Sequence, residues 1–382
     1  MERVYLDNAA TTRCDPRVTE VMVSCLTESF GNPNSQHSFG HKAAHLLEEA
    51  RATTADCLGA TPEELTFTAG GSAAIYLALT CLAQAGRAQS KRILVSSVEH
   101  EATLQTCRLL ATEDFEVVQL PVDEEGFVEL ETAESELARG AAFVSVLHVQ
   151  NEVGTIEPIE AIGALARKAG VPFHLDAIQS SGQLPLNLTE LPVDMLSLSA
   201  HKFYGPKGIG ALYVRRGLDL AGTALAPGGD FAPHAGTPDV AGAVGLATAL
   251  QLATSELPER AARISELRAL LIEEVLASSP EALLSGPCEQ RAGGITHFTF
   301  PRLEGEALVT RLDLKGFAVS TASACRASSA QPSHVLKAMG VPASRLYGAL
   351  RVSLGKDNTA EEVKAFVQAL YEAVNSLRLL AP

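Results

Sequence analysis

Short apolar runs recur between residues 64 and 214, most of them separated by a stretch with helical patterning. They are ELTFTA (64–69), RILVSS (92–97), EVVQLPV (116–122), AAFVSVLHV (141–149), VPFHLDA (171–177), MLSLSA (195–200) and IGALYV (209–214). Between them lie SAAIYLALTCLAQAG, the residues after His100, ELETAESELARG and IEAIGALARKAG. A strand that is apolar throughout, rather than at alternate positions, is buried on both faces. A largely parallel sheet covered by helices supplies such burial. The expected class is therefore α/β, with a mainly parallel seven-stranded sheet built from these runs. The last two runs, joined by the turn that holds Lys202, are expected to form an antiparallel pair at the sheet edge.

The pattern changes near residues 255–260. A charged helix, PERAARISELRALLIEEVLASS (258–279), precedes strand-like GGITHFTF (293–300) and FAVSTAS (317–323), then a final helix, AEEVKAFVQALYEAV (360–374). This reads as a smaller α+β domain, residues 257–382, joined by residues 1–12, beside a large domain of residues 13–256. A chain of 382 residues with 46% hydrophobic content can bury two such cores. The most apolar segment, VAGAVGLATALQLATS (240–255), is too short to span a bilayer and is read as a buried helix. The start, MERVYLDNAATTR, lacks the pattern of a signal peptide. The 7 cysteines are scattered without a CxxC pair, which suggests neither a disulfide framework nor a zinc site. A cytoplasmic enzyme is expected. A net charge of −15 argues against a general binder of nucleic-acid backbones.

The chemistry concentrates at the ends of the apolar runs. Lys202, in LSLSAHKFYGPKG, closes one run, and Asp176, in VPFHLDAIQSSG, closes another. Either residue alone is ordinary loop chemistry. Together they suit pyridoxal phosphate (PLP), whose aldehyde takes a lysine amine as an imine and whose pyridine nitrogen needs an acid beside it. In FTAGGSAAIYLAL, Gly70, Gly71 and Ser72 open a helix after a strand, a setting that binds phosphate through backbone amides and the helix dipole. The competing reading is a plain turn capped by Ser72. Ser199 and His201 flank the lysine closely enough to reach the same phosphate. His100 follows a strand and suits stacking on a flat ring and proton transfer near neutral pH. His37, His41 and His45 share helical spacing, but without acidic or thiol ligands beside them they read as a solvated helix face. Cys325, in STASACRASSAQPSHVL, lies among small polar residues beside Arg326, a setting that favours a reactive thiolate over a packed thiol. Arg351, within the apolar ALRVSLG, needs a partner, either a substrate carboxylate or an internal acid.

These segments, in this order, resemble the cysteine desulfurases of the NifS/IscS type among the fold-type I PLP enzymes. The resemblance rests on YLDNAATT, GNPNSQHSFG, FTAGGSAA, EHEA, HVQNEVGTIEPI, HLDAIQSSG, SAHKFYGPKGIGALYVR, HAGTPDV, SACRASSAQPSHVLKAMG and LRVSLG, and covers nearly the whole chain. It implies the PLP fold of type I, with Lys202 as the imine lysine and Asp176 as the pyridinium partner. It further implies Gln179 on the phenolic oxygen, His100 on the ring, and Ser72, Ser199 and His201 on the phosphate. Thr237 would reach the phosphate of a second subunit, which implies a homodimer. Asn151 and Arg351, with Asn32 nearby, would hold the substrate carboxylate. The implied reaction converts L-cysteine to L-alanine and leaves sulfur as a persulfide on Cys325 for an acceptor.

The chain departs from the family pattern in three places. Gly-Ser-Ala-Ala-Ile-Tyr follows the phosphate-loop glycine, GGDFAPHAG replaces a Gly-Gly-Gly-Gln-Glu stretch, and Thr-Ala-Ser precedes Ala-Cys. The C-terminal extension that some members use to dock a scaffold protein is expected to be short. The acceptor stays open among iron–sulfur assembly, tRNA thiolation and DNA phosphorothioation. A selenocysteine lyase, an aminotransferase of the same fold and a catalytically silent sulfur-transfer scaffold remain as alternatives.

Overall fold

The computed structural model describes residues 3–225, 236–321 and 331–379. Among these, the strands are β1 (Val4–Tyr5), β2 (Leu65–Thr68), β3 (Arg92–Ser96), β4 (Glu116–Leu120), β5 (Phe143–Leu147), β6 (Phe173–Asp176), β7 (Met195–Ser199), β8 (Gly210–Val214), β9 (Leu283–Leu284), β10 (Gly294–Thr299), β11 (Phe317–Ala318) and β12 (Ala349–Leu354).

The apolar runs build a 7-stranded sheet in the order β2-β8-β7-β6-β5-β3-β4. From β7 across to β4 every pairing is parallel. Every residue of β5, β6 and β7 is buried, because helices cover both faces. In β6, His174 lies between Ser145 Oγ (2.9 Å) and Ser197 Oγ (2.9 Å) on the neighbouring strands. This buried polar rung fixes the register of the strand that ends in Asp176.

One expectation is corrected. β7 and β8 pair antiparallel but are not at the sheet edge, because β2 pairs antiparallel with the far side of β8. β8 is buried along most of its length, and an outer strand satisfies its free backbone groups. The histidine helix face is solvated as expected, with His37, His41 and His45 all exposed. His37 is the N-cap of the helix Ser38–Leu58, its Nδ1 accepting from the Gly40 amide at 3.3 Å. His45 pairs with Glu49, one turn on, at 3.2 Å.

The second core packs Leu6, Phe298, Phe300, Phe317, Leu350 and Phe366. Its sheet is β12-β10-β9, and the helices Leu257–Ser278 and Ala360–Arg378 contribute apolar faces to it. The chain start belongs beside it, since β1 pairs in parallel with β11 and Asp7 bridges to Ser353. Lys356 ties the two sheets' surroundings together. Its amide donates to Tyr204 Oη at 2.8 Å, and its ammonium pairs with Asp15 and sits 4.6 Å over the Tyr204 ring. Helix Val240–Ser255 is largely buried, and among the described residues no single helix is long and apolar enough to cross a membrane.

Candidate active site

Parallel strands place their carboxyl ends on one side of a sheet, where ligand sites form. Asp176 is the last residue of β6 and Ser199 the last of β7. A single 3-10 turn, Ala200–Lys202, then carries His201 and Lys202 past the strand ends. Tyr204 holds this turn with φ of 66°, a left-handed conformation that a bulky residue adopts only under constraint. The constraint is visible: its amide donates to Thr12 Oγ1 at 2.8 Å and its carbonyl accepts from the Asp15 amide at 2.9 Å.

Residues 9–12 line this turn. Lys202 Nζ donates to the carbonyls of Ala9 (2.6 Å) and Ala10 (2.9 Å), and Gln179 Nε2 donates to the same Ala9 carbonyl at 2.8 Å. His201 Nδ1 lies 3.2 Å from Thr11 Oγ1, and Thr12 Oγ1 donates to the His201 carbonyl at 2.9 Å. The motif YLDNAATT thus spans both regions, with Val4–Asp7 on the smaller sheets and Ala9–Thr12 on the lysine turn. The sequence reading placed it near the second lobe and gave it no part in the site.

Burial controls protonation here. The Asp176 carboxyl is pushed up to about 6 by burial, against the Ile178 amide it accepts from at 2.9 Å and the nearby Lys202 charge. Burial, with the Lys202 charge, takes His100 down to about 4. Its Nδ1 accepts from the Ala102 amide at 3.1 Å, which caps the helix Glu101–Thr112 and marks a neutral ring. His201 is likewise lowered to about 4 by burial and the charges of Lys202 and Lys207. Glu99, absent from the sequence reading, is buried and raised well above the usual carboxylate range, first by burial and then by Asp176. Its Oε1 accepts from the Leu147 amide (2.7 Å) and Ser96 Oγ (2.9 Å).

The glycine turn packs against the same strand ends. Gly70 has φ of 108° and ψ of 174°, a region open to glycine alone, and it is the N-cap of the helix Gly71–Gly86. A Cβ on Gly71 would lie 2.3 Å from Ile178 Cδ1 and 3.0 Å from Ser199 Cβ. The helix N-terminus therefore meets the end of β7 with space only for a hydrogen. Ser72 is exposed in the first turn and does not cap it.

Arg351 lies buried in β12. Its Nη2 donates to Asp7 Oδ1 at 2.8 Å and its Nη1 to the Asn151 carbonyl at 2.9 Å. The internal acid considered from the sequence is therefore present, and it is Asp7. Asn32 is exposed, its Oδ1 accepting from the Asn34 amide at 2.9 Å, and Thr237 is exposed shortly before the helix Val240–Ser255. Neither joins the cluster within the single chain. Cys325 lies outside the described residues, but its flanks reach the cluster. The Ser320 and Arg351 main chains exchange hydrogen bonds of 3.2 and 2.7 Å. On the other side of Cys325 in sequence, Ser333 Oγ donates to Glu152 Oε2 at 2.6 Å and His334 Nε2 lies 3.0 Å from the Glu99 carbonyl.

A sheet of this order, with a lysine and an acid at adjacent strand ends, defines a class that comparison identifies. Residues 4–366 match the aminotransferase class-V family model, and the chain belongs to that family. A cysteine desulfurase IscS of Dictyoglomus turgidum is 41% identical over 379 residues, covering 99% of this chain and 96% of the relative. Among solved structures, a NifS-like protein superposes with a TM-score of 0.90 at 36% identity, covering 98% of this chain and 100% of that one. SspA in complex with cysteine superposes with a TM-score of 0.76 at 31% identity, over 93% and 99% of the two chains.

Proposed function

We infer that this chain is a cysteine desulfurase that binds PLP at the ends of β6 and β7 and acts as a homodimer. The observation that carries the cofactor reading is Lys202 and Asp176 on neighbouring strand ends, in a site whose other groups suit PLP. The cradle fits a phosphate: a helix N-terminus with the Gly71 hydrogen against Ser199. Among the described residues the only cation that acts on the buried Asp176 carboxyl is Lys202, and the carboxyl fits a pyridinium.

In this reading Lys202 holds the aldehyde carbon, Asp176 the ring nitrogen and Gln179 the phenolic oxygen. His100 covers the ring as a neutral imidazole, and Gly71, Ser72, Ser199 and His201 hold the phosphate, with Thr237 reaching across from a second copy. When bound, PLP supplies an electron sink for the substrate α-carbon. Arg351 and Asn151 hold the substrate carboxylate, with Asn32 at the rim. Once the substrate amine has replaced it at the aldehyde carbon, the freed Lys202 Nζ would take the α-proton, and the Cys325 thiolate would attack the substrate sulfur. The C–S bond breaks as the S–S bond forms, so L-cysteine and the Cys325 thiol yield L-alanine and a Cys325 persulfide. An acceptor then takes that sulfur.

Homodimer formation is supported by an apolar face near the chain start. Val23, Leu26, Phe30 and Phe39 are more than half exposed, and the Phe30 and Phe39 rings are 5.5 Å apart. Free cysteines at 14, 25, 57, 81, 107 and 288 suit a reducing, cytoplasmic setting.

The deciding experiment adds L-cysteine to the purified, PLP-loaded protein and assays alanine, and sulfide with and without a reductant. An absorbance band at about 420 nm is expected, with alanine formed and sulfide released by the reductant. Cys325→Ala should keep the band and form no persulfide, and Lys202→Ala should lose the band. A coloured protein that makes no alanine from cysteine would move the substrate to selenocysteine or another amino acid. Failure to take up PLP would overturn the reading.

A further inference from the structure

Arg351 carries more constraint than substrate binding requires. Its side chain is 5% exposed, and a charge at such a site is strongly destabilising unless it is compensated. Asp7, 21% exposed, compensates it through Nη2, the Asn151 carbonyl takes Nη1, and Nε is buried with no hydrogen-bond partner among the described residues. A planar guanidinium tied at two nitrogens cannot swing about its Cδ–Nε bond. Asp7 is itself fixed. Its backbone bridges to Ser353 on β12, and its carbonyl accepts from Tyr5 Oη at 3.0 Å. The main chain of Arg351 also pairs with Ser320, the near flank of the Cys325 segment. One residue thus joins the chain start, the Asn151 turn and that flank.

We propose that Asp7 is a positioning residue for the substrate carboxylate, holding the Arg351 fork in the one orientation that receives it. This rests on the reading of Arg351 as the carboxylate-binding residue. Asp7 touches neither substrate nor cofactor in this role. It restrains the fork before substrate arrives, so that little orientation is lost on binding.

The test compares L-cysteine with cysteamine, which keeps the amine and thiol and lacks the carboxylate. Dissociation constants come from the absorbance change of the bound cofactor in the loaded enzyme, and KM and kcat from alanine formation. Asp7→Ala is expected to weaken L-cysteine by about tenfold or more, the loss typical of a charged hydrogen bond, with KM affected more than kcat. Cysteamine binding should change by less than about threefold. Asp7→Asn preserves the shape and one acceptor, so it should fall between wild type and Asp7→Ala, and it decides the matter if Asp7→Ala does not load cofactor. Equal weakening of both ligands, or of neither, overturns the proposal. The control is Arg351→Gln. If it reduces the preference for L-cysteine and the Asp7 variants do not, the proposal alone fails. If Arg351→Gln leaves the preference unchanged, the carboxylate reading fails and takes the proposal with it.

Discussion

Replacing Asp176 by Asn should stabilise the cofactor-free protein and weaken the loaded one. Burial raises the Asp176 carboxyl from 3.8 to about 6. Between those values the folded protein holds a proton that the unfolded chain has released. Stability therefore falls as pH rises through that window and stays lowered above it. At about 1.4 kcal/mol per tenfold change in proton affinity, the loss is about 3 kcal/mol at neutral pH. Asn keeps the shape and can still accept from the Ile178 amide, but it cannot ionise. The cofactor-free variant should exceed wild type by about 1–3 kcal/mol near pH 7.5, with the gap closing toward pH 4. Glu99 is raised first by burial, which both proteins share, and then by Asp176, a part that the variant loses and that acts in the same direction as the gap. Urea unfolding midpoints of both cofactor-free proteins across this range read the effect. The order should reverse once PLP is added, because the ring nitrogen has lost its carboxylate. A gap that does not vary with pH, or a variant less stable than wild type at pH 7.5, would refute the argument.

Gly71→Ala should raise the PLP dissociation constant by about tenfold or more, since its Cβ meets Ile178 Cδ1 at 2.3 Å and displaces the cradle. Ile178→Val in the same chain should recover part of that affinity, as read by equilibrium titration. Glu99→Gln should stabilise the cofactor-free protein at pH 7, because burial raises this carboxyl above its unfolded value and Gln removes that cost, and the gain should shrink toward acid pH. Glu99→Ala should be less stable than Glu99→Gln by about 2–4 kcal/mol, because it leaves the Leu147 amide without its acceptor and opens a cavity. Unfolding curves of the two variants at pH 7 separate these cases.

The large sheet was legible because burial on two faces writes itself into sequence as unbroken apolar runs, as in FVSVL of β5 and MLSLS of β7. Strand order was less legible. Placing β2 outside β8 depends on hydrogen bonding between segments more than a hundred residues apart, and neither segment's pattern records its neighbour. β1, β9 and β11 have two residues each, too few for any periodicity. They are strands because a partner strand is already in place. In FAVSTAS the strand pairing ends at Ala318, and among the described residues of the run the Ser320 bridge to Arg351 follows it.

The site divides along the same line. Lys202 and Asp176 could be found because each follows an apolar run, and parallel topology brings run ends together without further information. Arg351 could be found as a charge inside such a run, which demands a counter-charge. The sequence offers 45 acidic residues and no local rule for choosing among them. The choice of Asp7 follows from β1 lying beside β11 and bridging to β12, a long-range event that brings residue 7 to residue 351. The same event carries Ala9 and Ala10 onto the Lys202 amine. Residues 4–12 therefore join the two halves of the site. At one end their acid holds the arginine, and a few residues on their carbonyls hold the lysine. A shift in the register of β1 against β11 would move both together. Variants that loosen that pairing, such as Phe317→Ala, should consequently weaken L-cysteine binding and change the environment of Lys202 in one step, which cofactor absorbance and cysteine titration on the same sample would detect.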